Sequence, residues 1–143
     1  MKSSKRSGVN SASKPPKPPT FFLDHSLGTQ KVRSALVAQG AVVEVLIDHF
    51  DQSVEDVIWL PEVGRRGWVV LTKDKRIRNR KLEINALMDA GVAAFVLTAG
   101  EMRGEEMGEV FATALPRMLR FLEKNSPPFI ATVTRKGNVS RYC

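Results

Sequence analysis

The sequence of 143 residues has one cysteine, two histidines and no long apolar run. Cys143 is the last residue, so an internal disulfide framework and a cysteine-based zinc site are both excluded. His25 and His49 are too few for a histidine-rich metal site. No apolar segment approaches the roughly 20 residues that span a bilayer, and prolines follow the basic start where a signal peptide would need an apolar stretch. We therefore expect a cytoplasmic protein that does not enter a membrane.

The net charge of +7 is concentrated near the start of the chain. Residues 1–20 contain five basic groups and no acid, so the rest carries 17 basic groups against 15 acidic ones, a net charge of only +2. This stretch is rich in Ser, Lys and Pro and cannot bury enough apolar surface to offset the entropy of ordering. The sequence predicts a disordered basic tail over residues 1–20 and one folded domain over residues 21–143.

Apolar runs alternate with amphipathic patterns from Phe21 onward. The runs predict strands at 21–23, 41–47, 68–72, 92–98, 129–134 and 139–142. Between them the pattern predicts a helix over 32–39, a helix capped by Ser53, a helix over 82–90 and a long helix over 107–122, with kinks at Pro61 and Pro116. This alternation predicts an α/β fold, a three-layer α/β/α sandwich with a central, mostly parallel sheet and a C-terminal hairpin.

Three predicted strands end in or just before an acid, at Asp24, Asp48 and Asp74. The carboxyl ends of parallel strands lie at one edge of a sheet, where sites form in open α/β folds. Gathered carboxylates repel each other unless a cation neutralises them, and hard oxygen ligands suit Mg²⁺ or Mn²⁺. An alternative interpretation is that each aspartate only favours a turn or caps the next helix.

Three segments together resemble the PIN-domain superfamily, and more narrowly the compact PIN-like toxins of the virulence-associated protein C type. They are Phe21–Asp24, Asp56–Leu60 and Trp68–Ile77, and the resemblance extends from Phe21 to Tyr142. It implies a metal-dependent ribonuclease with a three-layer α/β/α fold, often paired with a cognate antitoxin and often dimeric. Mg²⁺ or Mn²⁺ would then activate a water for hydrolysis of an RNA phosphodiester.

The acids of this family fall on Asp24, Asp56 and Asp74, which the resemblance implies are catalytic and metal-binding. Thr72 matches the family's hydroxyl residue and would support the carboxylates. Glu55 is the alternative to Asp56 if the alignment is shifted by one residue. Asp56 also fits a capping box with Ser53, which would make its carboxylate a local backbone acceptor.

The chain departs from the family pattern at Arg76, which replaces a fourth acid. Asp48 and Glu101 are other candidates for that role, although neither lies at a matching position. The loss of this acid weakens the case for a second bound metal ion more than the case for the first.

A basic run surrounds Asp74. Such a run is usually a solvated surface, but next to a phosphodiester site it would meet the charge of the RNA backbone. The residues that we predict to bind substrate are Lys73, Lys75, Arg76, Arg78 and Arg80.

Two other functions compete with a nuclease. A catalytically inactive PIN-like module that binds RNA or a protein is favoured by the replaced fourth acid and opposed by Asp24, Asp56 and Asp74. A phosphoacceptor receiver domain would need a pair of acids after its first strand and a lone lysine after its last, and neither is clear here.

Overall fold

The computed structural model describes residues 18–28, 30–51 and 53–143. The predicted tail therefore lies almost wholly outside the described residues, and its last residue, Thr20, already belongs to the first strand. The strands are β1 (Thr20–Leu23), β2 (Val42–Val45), β3 (Val69–Thr72), β4 (Ala93–Leu97), β5 (Phe129–Val133) and β6 (Val139–Arg141). The helices are α1 (Lys31–Ala38), α2 (Asp56–Arg66), α3 (Arg76–Asn79), α4 (Lys81–Ala90) and α5 (Gly104–Lys124), with 3-10 turns at His25–Leu27 and Leu46–Asp48.

The six strands form one sheet in the order β2-β1-β3-β4-β5-β6. Every neighbouring pair is parallel except β5 and β6, which form the predicted antiparallel hairpin. Gly137 supports its turn with a φ of 82°, in the left-handed region that glycine adopts without strain. The first and third strands are adjacent, with Leu23 beside Leu71, so the residues that follow both strands lie at one edge of the sheet.

Alternate residues of the strands enter two separate cores, one on each face of the sheet. Phe21 and Leu23 point to the face covered by α1 and α5, while Phe22 points to the face covered by α2 and α4. Both cores are built from fully buried apolar side chains, including Phe111 on the first face and Trp59 on the second. The predicted three-layer α/β/α sandwich is confirmed.

Several predicted boundaries differ from the observed ones. The second strand was expected over 41–47 but ends at Val45, because Leu46–Asp48 turns into a 3-10 helix that leaves Ile47 half exposed. The helix predicted from Ser53 begins at Asp56 instead, with Glu55 at its N-cap position and no side-chain cap. Pro61 lies within this helix without ending it. In the part of the chain that the structure describes, no helix is both long and apolar enough to cross a membrane.

Helices α2 and α4 pack closely because Gly64 has no side chain. A Cβ at Gly64 would collide with the backbone oxygen of Ala90 and lie 3.2 Å from its Cβ. We expect Gly64→Ala to lower the free energy of unfolding by about 2 kcal/mol, since overpacking exceeds the gain in helix propensity. Denaturant unfolding measures this, with Gly100→Ala as the control because a Cβ there meets nothing within 4 Å. Equal stability of the two variants would contradict the close helix contact.

Candidate active site

The first group of polar residues lies where β1 and β3 end. Asp24 follows β1, is fully buried and accepts hydrogen bonds through both carboxylate oxygens. Its Oδ1 accepts from the backbone N–H of Ser26 at 3.0 Å and from the Ser26 hydroxyl, and its Oδ2 accepts from the hydroxyl of Thr72. Burial raises the pKa of Asp24 to about 6, although the hydrogen bonds from Ser26 and Thr72 act in the opposite direction.

Thr72 connects this buried carboxylate to the next acid along the chain. Its Oγ1 donates to Asp24 and accepts the backbone N–H of Asp74 at 2.9 Å. The Ser26 hydroxyl in turn accepts the backbone N–H of Lys73 at 2.9 Å. These bonds fix the turn that carries Asp74 relative to Asp24.

We expect Thr72→Val to lower the free energy of unfolding by about 1–3 kcal/mol, because it leaves buried polar groups without partners. Thr72→Ser keeps the hydroxyl and is the matched control. The measurement is denaturant unfolding of both variants in EDTA. A serine variant as unstable as the valine variant would show that the hydroxyl bonds contribute little.

Asp74 forms a bidentate ion pair with Arg76. The Arg76 Nε lies 3.0 Å from Oδ1 and 2.9 Å from Oδ2, and Nη2 lies 2.5 Å from Oδ2. The backbone N–H of Arg76 also donates to Oδ1 at 2.9 Å. Partial burial alone would raise the pKa of Asp74, but the hydrogen bonds and charge of Arg76 outweigh it and hold the pKa below its usual range.

Asp56 begins α2 and is buried, while the neighbouring Glu55 is exposed. One Asp56 oxygen accepts the indole N–H of Trp59 at 3.1 Å, and no side chain caps the helix. The capping-box interpretation of Asp56 is therefore wrong. Burial and the charge of Asp74 raise the pKa of Asp56, and Glu83 acts in the same direction.

Glu83 on α4 is an acid that the sequence analysis did not single out. Only 8 % of it is exposed, and its buried Oε2 has no hydrogen-bond partner in the described part of the chain. Glu83 precedes the buried Leu87 by four residues and so lies on the apolar stripe of the helix. A charged residue on the apolar stripe of a predicted helix is the sequence feature that could have identified Glu83 as a candidate site residue. We refer to Asp56, Asp74 and Glu83 as the coupled carboxylates, because the charges of the other two both act on Asp56.

A cleft of about 500 Å³ is lined by Asp56 and Glu83, whereas Asp74 and Asp24 are not among its lining residues. Its lining includes His25, Glu55, Asp56, Arg76, Arg80 and Glu83. The cleft thus joins Asp56 to two of the predicted substrate-binding residues and to Glu83.

The other predicted substrate-binding residues are not among those that line this cleft. Lys75 is exposed and Lys73 half buried, and the Arg78 guanidinium lies 5.7 Å from the centre of the Tyr142 ring. Asp48 and Glu101 do not line it either. Asp48 instead lies 3.9 Å from Arg33. The cleft therefore has Glu83, and neither Asp48 nor Glu101, as its further buried acid.

The coupled carboxylates match a hard divalent cation in ligand type. All of their side-chain ligand atoms are oxygen. Among the residues that the structure describes, the buried Glu83 Oε2 has no hydrogen-bond partner, which is costly unless a cation compensates it. Within residues 18–28, 30–51 and 53–143, however, no three Asp, Glu, His or Cys side chains converge closely enough to hold an ion. Asp24 is occupied by two hydroxyls and Asp74 by Arg76.

The family described as a PIN-like domain matches residues 19–99, which is more than half of the chain and includes Asp24, Asp56, Asp74 and Glu83. The chain belongs to the PIN-like domain family. It is similar to a protein of Mycobacterium tuberculosis (strain ATCC 25618 / H37Rv) named "Putative ribonuclease VapC45", with 28% identity over 117 residues that cover 79% of this chain and 84% of that protein. No solved structure shows a significant match.

Proposed function

We propose that this protein is a metal-dependent endoribonuclease that hydrolyses RNA phosphodiesters, and that it is the toxin of a toxin-antitoxin pair. The observation that carries the proposal is the cleft at the edge of the parallel sheet, which combines buried carboxylates with Arg76 and Arg80. Membership of the PIN-like domain family and similarity to a protein named as a ribonuclease support it.

Asp56, Asp74 and Asp24 are the proposed catalytic and metal-binding residues. Of these, Asp56 lines the cleft, and Glu83 adds another carboxylate to that lining. Bound Mg²⁺ or Mn²⁺ would lower the pKa of a water and stabilise the charge that develops on the phosphoryl oxygens. Asp24 is fully buried and accepts a hydrogen bond from Thr72, so we infer that it also holds Thr72 and the turn of Asp74 in place.

Asp56 would orient the attacking water or accept its proton. Burial and the charge of Asp74 raise the pKa of Asp56, which makes its carboxylate a stronger base than an ordinary aspartate. Glu55 also lines the cleft and is exposed, so it stays the alternative to Asp56 for these proposed roles.

Cations beside the cleft would bind the RNA backbone. Arg76 and Arg80 line the cleft, and a guanidinium can bind a phosphate through two parallel hydrogen bonds. The same basic run also contains Lys73, Lys75 and Arg78, which we propose to bind neighbouring phosphates.

A cognate antitoxin and a homodimer belong to the same proposal, as does a cytoplasmic location. They are supported by the resemblance to toxins of the virulence-associated protein C type.

Metal removal tests the proposal directly. We expect the purified full chain to cleave a structured RNA in Mg²⁺ or Mn²⁺ and to lose that cleavage in EDTA, because water without a bound cation is a poor nucleophile at neutral pH. Added metal in excess of EDTA should restore cleavage. Cleavage that persists unchanged in EDTA would contradict a metal-dependent mechanism.

Expression in a bacterial host tests the toxin assignment separately. Wild type should arrest growth and produce new RNA ends, whereas Asp74→Ala should do neither. RNA from both cultures is mapped for cleavage ends. Arrest by both proteins with the same ends would exclude Asp74 from the reaction.

A catalytically inactive module that binds RNA or protein is the second candidate. It is favoured by the ion pair in which Arg76 occupies both oxygens of Asp74. Binding of Mn²⁺ that is lost in Asp74→Asn, together with RNA cleavage, supports the nuclease. RNA binding without cleavage in any divalent cation supports the module.

A further inference from the structure

We propose that Arg76 is a resident counter-cation of the coupled carboxylates, and that a divalent cation competes with its guanidinium for Asp74. This inference rests on the proposed function, because it concerns the same site. It adds a role for Arg76 in the resting protein that precedes any contact with RNA.

The geometry of the ion pair carries the first step. Arg76 covers both oxygens of Asp74 with its guanidinium and with its own backbone N–H. A carboxylate whose two oxygens face a guanidinium fork has little capacity left for a metal. A cation can therefore use Asp74 fully only after the Arg76 side chain moves away.

The charges in the cleft carry the second step. Arg76 pairs with Asp74 and lines the same cleft as Asp56 and Glu83. One guanidinium cannot balance three negative charges, and within the described part of the chain the buried Glu83 Oε2 has no hydrogen-bond partner. A divalent cation supplies more charge in the same place.

Exposure decides which partner can move. The Asp74 side chain is 12% exposed, whereas that of Arg76 is 45% exposed. Arg76 can thus leave towards solvent without opening a core. The released guanidinium would lie beside Arg80 in the cleft, where a phosphate of the substrate can bind.

Mn²⁺ titration of the full chain, followed by electron paramagnetic resonance of the free ion, tests the competition. Removing a positive charge next to the carboxylates should strengthen Mn²⁺ binding in Arg76→Gln by about tenfold. Arg65→Gln is the matched control, because Arg65 also forms a two-point pair with a carboxylate, Glu62, on an exposed face of α2. The control should bind Mn²⁺ as wild type does, and Asp74→Asn should bind it far more weakly.

The outcomes separate the inference from the proposed function. If wild type binds Mn²⁺ through Asp74 and cleaves RNA, but Arg76→Gln binds no more tightly, only the competition is overturned. If neither protein binds Mn²⁺ and RNA stays intact, the proposed function fails and the competition with it. Tighter binding in Arg76→Gln with slower cleavage at saturating Mn²⁺ supports both roles of Arg76.

Thermal unfolding covers the case in which Arg76→Gln folds poorly. Without Arg76 the coupled carboxylates repel each other, so its Tm in EDTA should fall and should rise more with Mn²⁺ than that of wild type. Arg76→Lys keeps the charge and loses the fork, and its Mn²⁺-induced rise should lie between the two. An equal rise in all three proteins would overturn the competition.

Discussion

Asp74→Asn should reduce the rate of RNA cleavage by at least about a thousandfold, which corresponds to about 4 kcal/mol of lost transition-state stabilisation. Asparagine keeps the shape of the side chain but removes the charge that the proposed metal needs. The fold should survive, since the pair with Arg76 is partly exposed and such pairs contribute about 1 kcal/mol or less.

Single-turnover cleavage of a labelled RNA at saturating Mn²⁺ measures this loss, with denaturant unfolding as a check on folding. Asp89→Asn is the matched control, because it makes the same chemical change on the exposed surface of α4. The control should cleave as wild type does. Retention of more than a tenth of the activity by Asp74→Asn would remove Asp74 from the catalytic residues.

Asp24→Asn should stabilise the protein at neutral pH while it impairs cleavage. The carboxylate is fully buried, and its pKa is raised from 3.8 to about 6. The native state therefore holds this proton more tightly than the unfolded state. The stabilising effect of protonation is complete below pH 3.8 and is lost as the pH rises through about 6.

The full effect of such a shift is about 3 kcal/mol, at the usual 1.36 kcal/mol for each pKa unit. An asparagine carries no charge at any pH and can still hydrogen bond to Ser26 and Thr72. In EDTA, wild type should therefore lose stability relative to Asp24→Asn between about pH 4 and pH 6, and at pH 7 the variant should be more stable by about 1–3 kcal/mol.

Denaturant unfolding at half-unit pH steps from 3.5 to 7 measures the difference between the two proteins. Asp89→Asn should follow the pH dependence of wild type. A constant difference between wild type and Asp24→Asn across this range would show that Asp24 has no raised pKa in the folded protein. Full cleavage activity in Asp24→Asn would remove it from the proposed site.

Much of the sheet could be predicted from local sequence. The apolar runs at Phe21 and Val69 predict buried parallel strands because both faces of such strands are covered, and the alternation with helices predicts the three layers. The predicted end of the second strand, in contrast, differs from the observed one, and it lies at the surface. Leu46–Asp48 follows an apolar run yet turns away, because among the described residues no strand pairs with the outer edge of β2 to hold Ile47.

The candidate site was only partly predictable. Asp24 and Asp74 follow adjacent strands, so their position at one edge of the sheet follows from the order of the elements. Glu83 was missed because it comes from α4 and enters the cleft only when that helix packs on α2, at the contact that Gly64 permits. The residues of the basic run also lie in different places. Arg76 and Arg80 line the cleft, whereas Arg78 contacts the ring of Tyr142.

By itself the sequence determined the layers, the hairpin and the acids at the strand ends, because these follow from periodicity and from the short range of backbone geometry. Tertiary structure alone decided how those acids are used. Asp24 is buried and accepts hydrogen bonds from two hydroxyls, and Asp74 is paired with a guanidinium. Glu83 lines the same cleft as Asp56, and its Oε2 has no hydrogen-bond partner among the described residues. The burial of each carboxylate and the charges around it depend on which distant elements pack together, and local sequence patterns do not specify that packing.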